Sequence, residues 1–294
     1  MRPSFLNQGD EVAIVAPAGK TEAALIDAGI AILQSWGLKV TPMSHVYGAF
    51  HQYSGSDQNR IDDFQEAISN PRFKAIFCTR GGYGCSRIVD NVDFSPLLEH
   101  PKWLVGFSDV TVLHAQLHCI DIESIHGSMV KNLHHGAETV RAALFGKLTE
   151  YQIAPHSLNR SGNAIGIITG GNLTLINNLI GTPSDIDTTG KILFIEDINE
   201  ELYHLDRLIT QLKRSGKLEN LAALIVGQFT DMKDGKNTSF GKSVEEIICD
   251  AVEDYRYPVC FNFPAGHVED NWAFYLGRES RLVVESTSVT LSFL

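Results

Sequence analysis

The chain has 294 residues, 44% of them hydrophobic and 20% charged. That is the composition of a soluble globular protein with ample core, and one or two domains are expected. A net charge of −11 argues against binding nucleic acid or an anionic membrane through the overall field.

In chain order, Glu11-Val-Ala-Ile-Val-Ala16 reads as a buried first strand, followed by a Pro17-Ala18-Gly19 turn. Residues 21–36 are expected to be helical, with Leu25, Ala28, Ile32 and Trp36 near one face and Gly37 as the stop. A short strand over 38–40 leads to a loop over 43–59, rich in Ser, Gly, His and Tyr, and then to a helix over 60–69 that Asn70-Pro71 ends. Ala75-Ile-Phe-Cys-Thr79 is another strand, and Arg80-Gly-Gly-Tyr-Gly84 is a glycine-rich turn at its end. A helix near 85–91, a strand over 102–107, a helix over 109–119, a short strand over 123–126 and a helix over 137–146 follow. Strands alternating with helices predict a doubly wound parallel sheet for an N-terminal α/β domain over 1–146. The loops at 80–84 and 106–109 both follow strands, where such sheets bind ligands.

Residues 147–163 lose periodicity and read as a linker. A C-terminal mixed α/β domain is expected over 164–294. Its strand Ala164-Ile-Gly-Ile-Ile-Thr169 gives way at Gly170-Gly171-Asn172 to a helix ending near 180. Lys191-Ile-Leu-Phe-Ile-Glu196 is a buried strand. Residues 200–214 form an amphipathic helix with Leu202, Leu205, Leu208, Ile209 and Leu212 on one stripe and Gly216 as stop. The stripe is either core or dimer surface. A strand over 221–228, a polar loop over 230–242, a helix over 243–255 and a strand over 259–263 precede Pro264-Ala265-Gly266-His267. Residues 281–285 and 288–293 alternate as an antiparallel hairpin.

No signal core opens the chain, no apolar run reaches membrane-spanning length, and the five cysteines are odd in number without Cys-x-x-Cys spacing. A cytoplasmic protein with reduced thiols and no membrane association is expected.

The chemistry centres on Gly106-Phe-Ser-Asp109. A strand, a sharp turn and a helix would lift the Ser108 hydroxyl to the carboxyl edge of the sheet, with the first helical amide available to an oxyanion. Ser108 or Asp109 could equally be an ordinary helix cap. Val110 stands where a Gly-x-Ser-x-Gly elbow has its second glycine. A nucleophilic serine needs a base, and the base needs an orienter. Glu196 and His267 are the candidates, because each ends an apolar strand and a carboxylate there is poorly solvated unless paired.

Taken together, Arg80-Gly-Gly-Tyr-Gly84, Gly106-Phe-Ser-Asp109, His126-Gly127, Gly170-Gly-Asn-Leu173, Phe194-Ile-Glu-Asp197 and Ala265-Gly-His267 resemble the motif set of the LD-carboxypeptidases. These serine peptidases trim the terminal D-alanine from murein tetrapeptides, and microcin-immunity hydrolases share their family. The resemblance spans about residues 8 to 280. It implies Ser108 as nucleophile, His267 as general base and Glu196 as its orienter, with the amides of Asp109 and of Gly82 or Gly81 as the oxyanion hole. It implies no metal and no cofactor, a triad assembled in a cleft between the two domains, a murein peptide as partner and a homodimer. Arg80 and Asn172 are expected substrate contacts, Arg80 for a free carboxylate. Ser128 departs from the pattern, which has proline after His-Gly. The runner-up within the family is hydrolysis of a microcin-like peptidyl-nucleotide amide.

Two rivals come from other classes. Gly19-Lys20-Thr21 after the first strand and the carboxylates of Glu196-Asp197 after an apolar one suggest a P-loop NTPase, but Ile14 occupies the position of its first glycine and Pro17 removes an amide. Stabilisation by nucleotide with magnesium would favour it. A non-enzymatic ligand-binding protein would not need Ser108, Glu196 and His267 together, and failure of a serine probe to label Ser108 would favour that. His114 and His118 have the i, i+4 spacing of a zinc pair but lack the following glutamate, and Asp231-Met-Lys-Asp-Gly235 lacks the later ligands of a calcium loop.

Overall fold

The computed structural model describes residues 1–235 and 238–294. Lys236 and Asn237, in the expected 230–242 loop, lie outside the described residues. The chain divides into two units. The first comprises Met1–Leu148 and Glu269–Gly277, and the second comprises Thr149–Val268 and Arg278–Leu294.

The first unit begins with β1 (Glu11–Val15), α1 (Ala23–Ser35), β2 (Lys39–Pro42), α2 (Asp57–Ser69) and β3 (Phe73–Cys78). It continues through α3 (Pro96–Glu99), β4 (Trp103–Gly106), α4 (Thr111–Cys119), β5 (Ser124–His126) and α5 (Leu133–Leu144). The inner strands are continuous apolar runs. Val12 to Val15 and Ala75 to Cys78 are all buried, as expected of a parallel sheet covered on both faces. Helix α1 buries a narrow stripe of Ile26, Gly29 and Leu33, with Gly29 against Val130.

Helix α2 starts earlier than its apolar pattern suggests, because Ser56 and Asn59 form a capping box. Its far end is capped from outside: the buried Lys102 Nζ donates to the carbonyls of Ala67, Ile68 and Asn70. Those carbonyls are among the orphans that every helix C-terminus leaves. The helix expected near 85–91 is instead two 3-10 turns, Cys85–Arg87 and Val89–Asn91.

The second unit contains β6 (Glu150–Ile153), β7 (Gly162–Asn172), α6 (Leu173–Leu179), β8 (Ile192–Ile198), α7 (Leu202–Arg214), β9 (Ala223–Thr230), α8 (Val244–Ala251) and β10 (Val259–Cys260). The chain then returns to the first unit as β11 (Phe274–Leu276), and closes the second with β12 (Glu279–Val284) and β13 (Val289–Phe293).

The two sheets run in the orders β11-β5-β4-β3-β1-β2 and β10-β9-β8-β7-β12-β13-β6. The first is parallel except for β11, which pairs antiparallel with β5. The second is parallel from β7 to β10 and antiparallel through β12, β13 and β6. The tail is the expected hairpin. On α7, Leu205, Leu208, Ile209 and Leu212 are buried, so that stripe is core.

Two domain boundaries need correction. The expected 147–163 linker contains β6, whose backbone pairs with β13, and it also contains the first residues of β7. Nor does 164–294 stay together: Phe274, Tyr275 and Leu276 are fully buried in the first unit, where the Tyr275 hydroxyl donates to the Ala143 carbonyl at 2.7 Å. A buried strand edge has to be paired, and β11 pairs the edge at β5.

His114 contributes to this unit rather than to a metal. It is buried on α4, with Nε2–H donating to the Gly106 carbonyl at 2.9 Å and Nδ1 accepting from the Ser124 hydroxyl at 2.8 Å. Burial lowers its pKa from 6.5 to about 4, against the opposing effect of the Gly106 bond. Between those values the unfolded chain takes up a proton that the folded chain refuses, so stability falls as pH drops through that window. Denaturant titrations at pH 7 and 4.5 should show the wild type losing about 2 kcal/mol more than His114→Gln on acidification.

Candidate active site

In the first unit, β4 ends at Gly106, Phe107 is extended, and Ser108 has a φ of +64°. A non-glycine residue in that region is strained. The 3-10 turn Ser108–Val110 then runs into α4. Ser108 is therefore held at an elbow at the carboxyl end of a strand, the geometry expected of an exposed nucleophile.

The glycine-rich turn after β3 lies against this elbow. A Cβ on Gly81 would sit 3.0 Å from Ser108 Cβ and 3.1 Å from both Ser108 Oγ and the Asp109 amide nitrogen. Only glycine allows this approach without displacement. Gly82 next to it has a φ of +105°.

The Asp109 side chain fixes the same two segments to each other. Its Oδ2 accepts from the Cys85 amide at 2.9 Å. Burial raises the Asp109 pKa above the usual carboxylate range, and the Cys85 bonds pull it partly back. Arg60 supports the turn from beneath. Buried at 1% exposure, it donates through Nη1 to the carbonyls of Pro17 and Gly84 and pairs through Nη2 with Asp57. Arg80 is half-buried, and its Nη1 donates to the Lys20 carbonyl at 3.1 Å. Ser128, the departure in the His-Gly segment, is buried against Gly136.

In the second unit, Glu196 is fully buried and its Oε2 lies 2.7 Å from Nδ1 of His267, whose side chain is 17% exposed. A bond of this kind makes Nδ1 the protonated nitrogen and Nε2 the basic one. The His267 loop is strapped to β9: the Gln228 amide donates to the Ala265 carbonyl, and the Thr230 hydroxyl donates to the His267 carbonyl. Gly266 permits the closeness. Its φ is +129°, and a Cβ there would sit 3.0 Å from Glu196 Oε2.

Asn172, an expected substrate contact, is bonded to protein groups on the second unit's sheet. It is 3% exposed, because β7 continues through Gly170 and Gly171 and pairs Asn172 with Glu196 of β8. Its Oδ1 caps α6 at the Leu175 amide. Its Nδ2 donates to Glu196 Oε1 at 3.3 Å and to Asp197 Oδ1 at 2.9 Å. Asp197 also accepts from the Thr174 amide and hydroxyl. Burial, and then the neighbouring Glu196 charge, raise the Asp197 pKa. Asn172 and Asp197 fall in motifs that the sequence shows, but their bonding to each other and the Arg60 support had no sequence signal.

The profile of the LD-carboxypeptidase N-terminal domain matches residues 12–127, and that of the C-terminal domain matches residues 165–282. A probable murein peptide carboxypeptidase of Bacillus subtilis (strain 168) is 33% identical over 300 residues, covering 98% of this chain and 93% of that protein. The chain belongs to the LD-carboxypeptidase family. As a member it is a serine carboxypeptidase with that family's two-domain α/β fold.

The crystal structure of muramoyltetrapeptide carboxypeptidase from Oxalobacter formigenes superposes with a TM-score of 0.84 at 28% identity, covering 96% of this chain and 98% of that one. The structure of MccF in complex with glutamyl sulfamoyl guanosine superposes with a TM-score of 0.88, covering 99% and 98%, but at 18% identity this likeness concerns the fold alone.

The packing of Gly81 yields a direct test. Gly81→Ala must displace Ser108 or the Asp109 amide. Hydrolytic turnover should fall about a hundredfold, while circular dichroism remains that of a folded protein. Wild-type turnover in this variant would mean that the turn and the elbow do not need their close contact.

Proposed function

We propose that the protein removes the C-terminal D-alanine from murein tetrapeptides by a serine mechanism. Ser108 is the nucleophile, His267 Nε2 takes its proton, and Glu196 holds the imidazole through Nδ1. The hydroxyl attacks the carbonyl of the L,D-peptide bond, and the amides of Asp109 and of Gly82 or Gly81 take the developing oxyanion. D-Alanine leaves with the proton from His267, and water then hydrolyses the acyl-enzyme.

The observation that carries this reading is the left-handed backbone of Ser108. A helix cap has no need of that strain, whereas a nucleophile presented at a strand end does. The 2.7 Å Glu196–His267 bond supports the assignment of base and orienter. Family membership and the activities for which the relatives are named support the substrate. No comparable observation favours the peptidyl-nucleotide amide.

In this reading Asn172 is a positioning residue for Glu196 rather than a substrate contact. The reading extends to a cytoplasmic homodimer acting in peptidoglycan recycling. Five free cysteines, three of them buried, fit a reducing compartment. The homodimer rests on the family resemblance, since the α7 stripe is spent in the core.

Mass spectrometry of L-Ala-D-Glu-diamino acid-D-Ala tests the reaction. Wild type should release one alanine and Ser108→Ala none, with the same fold by circular dichroism. Equal release by both would overturn the serine mechanism. Asn172→Ala should lower kcat about tenfold with KM within twofold, assayed well below its reduced melting temperature. A change confined to KM would restore Asn172 to substrate binding.

A further inference from the structure

Within the first unit, the strand order β5-β4-β3-β1-β2 reverses direction between β3 and β1. In open parallel sheets, ligands gather outside the carboxyl ends of the strands at such a reversal. A cavity of about 470 Å³ opens there. Lys20, from the loop after β1, and Arg80, from the turn after β3, both line it. Lys131 joins them, and its backbone amide is bonded to the Thr79 carbonyl.

Three cations at one cavity are unusual in a chain of net charge −11. None of the three is ion-paired with a carboxylate among the described residues. Of the Arg80 guanidinium, only Nη1 has a protein acceptor among them. Glu22 is the one carboxylate on the cavity wall. Asp27 stands behind Tyr47, whose hydroxyl donates to it at 2.7 Å. Burial, and then the neighbouring Arg80, lower the Lys131 pKa, as expected of like charges crowded without a counterion. Leu25 and Tyr47 give the cavity an apolar side.

We propose that this cavity is the subsite for the retained, amino-terminal part of the peptide, with Lys131, Lys20 and Arg80 binding its carboxylates. The proposal rests on the peptide reading above. Two features favour the retained part over the D-alanine carboxylate. A glutamyl residue linked through either carboxyl keeps the other free, so the unamidated retained segment carries charge for these cations. The cavity volume also suits a ligand of several residues, and a single alanine carboxylate would leave most of it empty. The cavity adjoins the chemistry through sequence neighbours: Arg80 lines it, and Gly81 packs on Ser108.

The test uses the tetrapeptide with its D-Glu carboxylate free and the same peptide with that carboxylate amidated. Lys131→Met and Lys20→Met together should raise KM for the free acid about tenfold or more, with kcat within twofold. The amidated peptide should show a high KM in wild type that these substitutions leave alone. An equal effect on both peptides, or on neither, overturns the subsite.

Calorimetry with the product tripeptide separates this proposal from the reading beneath it. Were the wild type to leave the tetrapeptide intact, tripeptide binding that weakens in Lys131→Met would uphold the subsite and remove the peptidase reading. Equal binding by wild type and variant would overturn the subsite, whatever the activity.

Discussion

The site depends first on one backbone angle. Ser108 holds a φ of +64°, which costs about 1–2 kcal/mol for a residue with a Cβ. Three features hold it there. The His114 imidazole grips the Gly106 carbonyl, two residues before the serine. The Asp109 carboxylate, one residue after it, grips the Cys85 amide. Gly81, lacking a Cβ, lets the glycine-rich turn close over the elbow. Hydrogen bonds to a charged partner contribute about 1.5–3 kcal/mol each, so the Asp109 contact alone can offset the strain. The same contact fixes the glycine-rich turn, so the proposed nucleophile and the proposed oxyanion donors share one support.

The second unit meets a different constraint: Glu196 and Asp197 are adjacent carboxylates on one buried strand. Successive strand residues normally point to opposite faces. Here the β8–β9 register shifts between Ile195 and Asp197, and such an irregularity re-aims side chains. Asn172 Nδ2 can then donate to both carboxylates. Asp197 takes its remaining bonds from α6 and its own strand. That leaves Glu196 Oε2 for the imidazole. Asp197 is thus structural, and the pair divides its roles because one carboxylate is saturated by amides and hydroxyls while the other faces His267.

Much of this was legible in the amino-acid sequence, for identifiable reasons. Strands such as Val12 to Val15 are uninterrupted apolar runs, and Ser108, Glu196 and His267 each follow such a run, so their place at a sheet edge could be read locally. Other features had only non-local causes. The strand Phe274–Leu276 is too short to show a period, and its partner lies some 150 residues earlier in the chain. Strand β6 alternates for only four residues and exists because β13 offers it an edge. Gly170 and Gly171 read as the opening of a helix but continue a strand, because pairing with β8 overrides their local preference. Asn172 stands out beside its two glycines, but its inward orientation follows from that same pairing. Arg60 and Lys131 were passed over because an isolated basic residue in a helix or loop carries no pattern.

The two neighbouring loops at the sheet edge use glycine and cation for separable tasks. Glycines at 81 and 82 bring main chain close to the serine, which any side chain would obstruct. The cations at 20, 80 and 131 stand one step further along the same edge, outside β1 and β3 rather than β4. An amide can stabilise an oxyanion without attracting a stable anion, whereas a lysine beside the nucleophile would hold the ground-state carboxylate there and favour binding over turnover. Placing the charges one strand away lets them act on parts of a ligand that do not react. Binding energy from such remote parts can position the reacting carbonyl without stabilising its ground state. The strand order makes the separation unavoidable: β3 lies between β4 and β1, so the turn that follows it reaches the serine on one side and the cavity on the other.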